Sequence, residues 1–191
     1  MHDSNRITVY KLSARGAQRV SSKTLNTVRH RAVLMSQSFN HDAKNLLKTM
    51  GQNAGFDCKD EYRLRIEGLE RPIAYIDHVW LIKVPHPSGL SQRRFPVVAF
   101  EITKDVSTLW NMKKMKGDIE NLRLSNAVLG VLVIPTVGDL KSQAEKFGSG
   151  AETWVNNLEG YLKALKSIIF PLRLEVWCFD QQNKKFLPFP L

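Results

Sequence analysis

The recurrence of apolar positions at helical spacing sharpens from His41, at Ala43, Leu46, Leu47 and Met50. Asn40 or Asp42 is available as an N-cap before them, and Gly51 or Gly55 can close the helix after them. The pattern predicts a helix that begins near residue 41. Residues 56–66 read as a strand, and Gly68-Leu-Glu-Arg-Pro72 as a turn. Ile76, Val79, Trp80, Leu81 and Ile82 mark a second strand over 73–84. Residues 85–94 contain two prolines and a glycine and predict a loop. A third strand over 96–103 is apolar until Glu101. Val106, Leu109, Met112, Met115 or Lys116, Ile119 and Leu122 then line one face of a helix over 106–124. The continuous apolar run over 127–134 predicts a strand covered on both faces. Helices near 139–147 and 152–168, a strand over 172–179 and a proline-rich tail over 186–191 complete the chain. A meander of three strands followed by a helical crossover to a buried parallel strand predicts an α/β sandwich: a mixed central sheet flanked by helices.

Composition adds a partner class to this outline. The 191 residues are 43% hydrophobic and 24% charged, proportions that set aside disorder, collagen and coiled coil. Lys and Arg number 28 against 18 Asp and Glu, a formal net charge of +10. A domain this basic points to a polyanion, nucleic acid first, although an inert basic surface fits the same number. The charge is concentrated early: residues 1–50 hold nine basic side chains and only Asp3 and Asp42 as acids. Residues 1–39, with Arg29 and Arg31, read as a basic arm or extension before an α/β domain over 40–191; the stretch 12–39, with weak apolar periodicity, is either an arm or a loosely packed helical extension. Such an arm neutralises phosphates without a core of its own, and a merely solvated segment fits it equally. Cys58 and Cys178 stand far apart, with no metal-binding spacing. The polar N-terminus and the short apolar runs predict a soluble, cytoplasmic protein without a membrane span.

Two acids stand at odd places in apolar strands. Asp77 follows Ile73-Ala-Tyr-Ile76, and Glu101 follows Pro96-Val-Val-Ala-Phe100, with Thr103 two residues on and so on the same sheet face as Glu101. A carboxylate buried in a strand costs several kcal/mol unless it is paired or holds a metal. Pairing with an Arg or Lys is one solution; a divalent cation shared by both acids is the other. No GxSxG and no phosphate-cradling glycine motif is present.

Ala74-Tyr-Ile-Asp77-His-Val-Trp80 followed by Pro96-Val-Val-Ala-Phe-Glu101-Ile-Thr103 resembles the core of the PD-(D/E)xK nuclease superfamily, the restriction-endonuclease-like nucleases. The likeness covers roughly residues 40–135. It implies a restriction-endonuclease-like three-layer sandwich and a metal-dependent DNA endonuclease of restriction or repair type, with Mg²⁺ or Mn²⁺ as cofactor. A catalytically inactive nucleic-acid-binding module of the same fold is the alternative. By this resemblance Asp77, Glu101 and the Ile102 carbonyl are metal ligands, and Asp42 sits where the family often carries a further acid. The pattern departs at Thr103, where a lysine is expected. Lys104 is adjacent, and Lys113, Lys114 and Lys116 lie on the following helix; Lys113 is the first candidate for a migrated lysine, placed near the inward face one turn after Leu109. Arg93 and Arg94 in the loop, with Lys114, Lys116, Arg29 and Arg31, are candidate contacts to DNA. RNA is an alternative substrate, and a homodimer would suit cutting both strands of a duplex.

Overall fold

The computed structural model describes residues 10–11, 18–19, 22–65, 68–85, 92–104, 109, 112–168 and 173–189. The chain divides into two units, Met1–Ser38 and Phe39–Leu191. In the first, β1 (Tyr10–Lys11) and β2 (Gln18–Arg19) pair antiparallel, and helix α1 (Ser22–Asn53) begins. The helix therefore starts about five turns before residue 41. Residues 22–40 contain no Gly or Pro, so nothing interrupts the helix, and Leu25, Val28, Ala32, Met35 and Phe39 recur at helical spacing along it.

The second unit is built on a six-stranded mixed sheet of order β3-β4-β5-β6-β7-β8. Strands β3 (Asp57–Leu64), β4 (Ala74–Pro85) and β5 (Gln92–Ile102) form an antiparallel meander. Helix α2 (Met112–Leu124) crosses to β6 (Leu129–Pro135), which runs parallel to β5. Helices α3 (Val137–Ala144), α4 (Ser149–Asn156) and α5 (Leu158–Ile168) lead to β7 (Arg173–Asp180), parallel to β6. The expected crossover is thus present. Three elements differ from the sequence reading. The helix expected over 152–168 is divided at Asn157 into α4 and α5. Strand β5 starts at Gln92, because antiparallel pairing with β4 continues out to Pro85↔Gln92. The proline-rich tail contains a strand, β8 (Lys185–Pro188), antiparallel to β7. Pro188 is tolerated there because β8 is an edge strand. The Asp180 carboxylate shapes the turn by accepting from the Asn183 N–H and side-chain amide at 3.0 and 2.8 Å.

Helices cover both faces of the sheet. On one, Leu109, Met115, Ile119 and Leu122 join Leu140, Trp154, Leu158 and Leu162 against Val79, Leu81, Ala99, Leu132 and Ile134. On the other, Phe39, Ala43 and Leu47 of α1, each four residues apart, meet Trp80, Val98, Phe100, Val131, Val133 and Phe179. No helix among the described residues is long and apolar enough to cross a membrane.

The contact of α1 with the sheet is close. Trp80 Nε1 donates to the Leu47 carbonyl at 3.0 Å, and a Cβ on Gly51 would lie 2.5 Å from both Trp80 Nε1 and Cys58 Sγ. Gly51 is therefore required by proximity and not by its dihedral angles. Gly51→Ala should lower stability by roughly 1–2 kcal/mol, since a clash costing about 1–3 kcal/mol outweighs the helix-propensity gain of about 1 kcal/mol. Gly117→Ala on α2, where a Cβ meets nothing within 4 Å, should instead stabilise by up to about 1 kcal/mol. Urea titrations of the two variants check the opposite signs.

Candidate functional site

The antiparallel register that pairs His78 with Phe100 brings Asp77 beside Glu101 on the neighbouring strand. Glu101 is 4% exposed and one of few buried polar side chains among the described residues. Its pKa is pushed up to about 10, first by burial, then by the charges of Asp77 and Asp118, and by a hydrogen bond to Asp77; Asn121 pulls it back. At neutral pH the Glu101 carboxyl therefore keeps its proton. Its Oε1 has no hydrogen-bond partner. Asp77 Oδ2 accepts the Ile102 N–H at 2.8 Å, and Asp77 Oδ1 lies 3.6 Å from Lys44 Nζ.

Thr103 closes the site from the other side. It is fully buried, its N–H donates to the Val133 carbonyl at 2.8 Å and its hydroxyl donates to Asp118 Oδ2 at 3.2 Å. Asp118, on α2, has a raised pKa: burial is the largest cause, partly countered by Lys114 and by the Thr103 hydroxyl. Asn121, one helical turn on, also donates to the Tyr75 carbonyl at 3.4 Å. His78 is fully buried against Phe100, its Nδ1 2.6 Å from Asp60, and burial lowers its pKa. It is a packed imidazole outside the carboxylate group.

The other sequence-derived candidates are spread out. Lys113 is exposed and not on the inward face of α2, because Met115, Asp118, Ile119 and Leu122 occupy that face and Lys113 lies two residues from Met115. Lys116 is exposed, Lys114 is exposed but acts on Asp118 through its charge, and Lys104 is half-buried next to Thr103. Arg94 lies in β5, not in a loop, opposite Lys83, and pairs with Asp57 at 3.3 Å. Arg93 is in β5 opposite Val84, and Arg29 and Arg31 are in α1; their side chains lie outside the described residues, as do residues 105–108 and 110. Asp42 is inside α1 and so is no N-cap; it accepts from Gln181 at 3.0 Å and from Lys184, tying α1 to the β7–β8 turn.

Three participants were not singled out from the sequence. Asp118 and Asn121 carry a faint signal, polar residues interleaved with the apolar stripe of α2. Lys44 carries none, since it reaches Asp77 only once α1 has docked.

Two neighbouring carboxyls with an unsatisfied buried oxygen suit Mg²⁺, which takes one or two carboxylates and completes its shell with water and phosphate oxygens. They do not suit an all-protein cage: among the described residues no three His, Cys, Asp or Glu are grouped to hold a metal. No protein-family model, curated protein or solved structure matches the chain.

The Glu101 proton has a stability consequence. In EDTA the folded state holds it up to about pH 10, while the unfolded chain releases it near the ordinary carboxylate value. The folded state thus binds more protons across that window, and this group's contribution to stability falls as pH rises through it. Glu101→Gln, which needs no proton, should melt a few degrees higher than wild type at pH 8. It should also show a shallower decline of melting temperature between pH 6 and 9, read by circular dichroism in EDTA.

Proposed function

We propose that the chain is a Mg²⁺-dependent DNA endonuclease with a restriction-endonuclease-like three-layer fold. The observation that carries the reading is the buried carboxyl of Glu101, with its unsatisfied oxygen, beside Asp77 at adjacent positions of β4 and β5. Burial this deep is unfavourable for a structural acid, and a cation would give both carboxyls a partner. The helix–meander–helix–strand order around the pair supports the same fold.

Asp77 and Glu101 would hold the cation. When bound, it polarises a phosphoryl oxygen and lowers the pKa of a water. The Ile102 N–H fixes one Asp77 oxygen, so that carboxylate is aimed before any ligand arrives. Asp118 and Asn121 border Glu101 from α2 and limit how far its carboxyl can turn. Arg29 and Arg31, basic residues of the first unit, would contact DNA phosphates.

One observation favours the second reading, an inactive nucleic-acid-binding module. The position where the superfamily has a lysine is Thr103, and its hydroxyl is committed to Asp118. Incubating supercoiled plasmid with Mg²⁺, Mn²⁺ or EDTA separates the two. The nuclease reading expects nicking with either metal, none in EDTA, and loss of nicking in Asp77→Asn with DNA affinity in EDTA within about twofold of wild type. A wild type that binds DNA but nicks it under neither metal establishes the module instead.

Both readings make the same demand of the arm. Arg29→Gln with Arg31→Gln should flatten the plot of log K against log salt by about 0.9 for each phosphate that is no longer neutralised. Fluorescence anisotropy on a short duplex measures it, and an unchanged slope would remove these arginines from the interface.

A further inference from the structure

We propose that Lys44, delivered from helix α1, is the catalytic cation that position 103 lacks. The inference rests on the nuclease reading above and deepens it.

Lys44 is a cationic group set against Asp77. Its Nζ lies 3.6 Å from Asp77 Oδ1, the oxygen left over when Oδ2 takes the Ile102 N–H. Its side chain is only 18% exposed, and Glu61 accepts a hydrogen bond from it, so the ammonium is steered and not swept through solvent. Glu61 holds a positive φ of 47° in the middle of β3, a conformation that non-glycine residues seldom adopt. The lysines of α2 are placed otherwise. Lys113 and Lys116 are exposed, and the charge of Lys114 falls on Asp118.

A tether alone would need only the Lys44–Glu61 pair, which already joins α1 to β3. The approach to Asp77 sets a positive charge beside the carboxylate that would hold the cation, and so beside the phosphate that the cation draws in. In hydrolysis the water oxygen bonds to phosphorus and gives its proton to solvent. The bond from phosphorus to the leaving oxygen breaks with its electron pair on that oxygen, which takes a proton from solvent. Between those events negative charge accumulates on the phosphoryl oxygens, and a fixed ammonium stabilises that state more than the ground state.

The test compares wild type, Lys44→Gln and Lys44→Arg in plasmid nicking, in Mn²⁺ titration without DNA followed by calorimetry, and in thermal unfolding. Lys44→Gln should lose nicking by on the order of 100-fold. It should bind Mn²⁺ as tightly as wild type or several-fold more tightly, because a like charge beside the site has gone. Lys44→Arg should restore part of the rate. If Lys44→Gln does not fold, Lys44→Met, which keeps the aliphatic stem, takes its place. Wild-type nicking in the glutamine variant overturns the inference and leaves the nuclease reading standing. Loss of nicking together with loss of Mn²⁺ binding makes Lys44 a structural tether and also overturns it. A wild type that nicks under neither metal removes both readings.

Discussion

A carboxyl group that is 4% exposed, beside a second carboxyl and within the field of a third, is the constraint around which the sheet is arranged. Burial and the neighbouring charges both disfavour a second anion, so Glu101 retains its proton. The backbone contributes too: the Ile102 N–H is given to Asp77 where the β4–β5 pairing, last in register at His78↔Phe100, has ended, although β4 itself runs on to Ala74 beside β3. The acids therefore occupy the end of the β4–β5 ladder, where a side chain reaches a main-chain donor.

That end of the ladder is serviced from both faces of the sheet. Helix α2 brings Asp118 and Asn121, and α1 brings Lys44. The second of these depends on how tightly α1 lies against the sheet. Gly51 leaves no Cβ between the helix and the Trp80 indole, and the indole N–H is anchored on the Leu47 carbonyl. Leu47 lies less than one turn from Lys44, so the packing that fixes one fixes the reach of the other. Core packing and site electrostatics are here the same contact seen from two ends, and a change at Gly51 would be felt at Asp77.

The strands that carry the acids were legible because each interrupts an apolar run at one position, and burial makes such an interruption costly enough to be informative. The crossover was legible for a related reason: a continuous apolar stretch such as 127–134 has no amphipathic solution, and the structure buries it as a central strand. The start of α1 was legible only as one of two alternatives, an arm or a helical extension: Leu25, Val28, Ala32 and Met35 keep helical spacing, but polar residues dominate the stretch and blur it. Strand β8 was not legible, because prolines mask a strand whose pairing is set by a turn at Asp180. Lys44 escaped for the deepest reason. Its role is defined by a contact with Asp77, far along the chain, and no local pattern encodes which cation a docked helix will present.

Thr103 shows how tightly this end of the sheet is filled. The position is fully enclosed, with Asp118 as its hydrogen-bond partner, and its main chain is held by Val133. A longer side chain there would overpack an enclosed site, and a lysine ammonium would meet Asp118. A threonine satisfies Asp118 with a short hydroxyl. The cation beside Asp77 comes from a different layer, helix α1, where Lys44 lies 3.6 Å from Asp77 and pairs with Glu61.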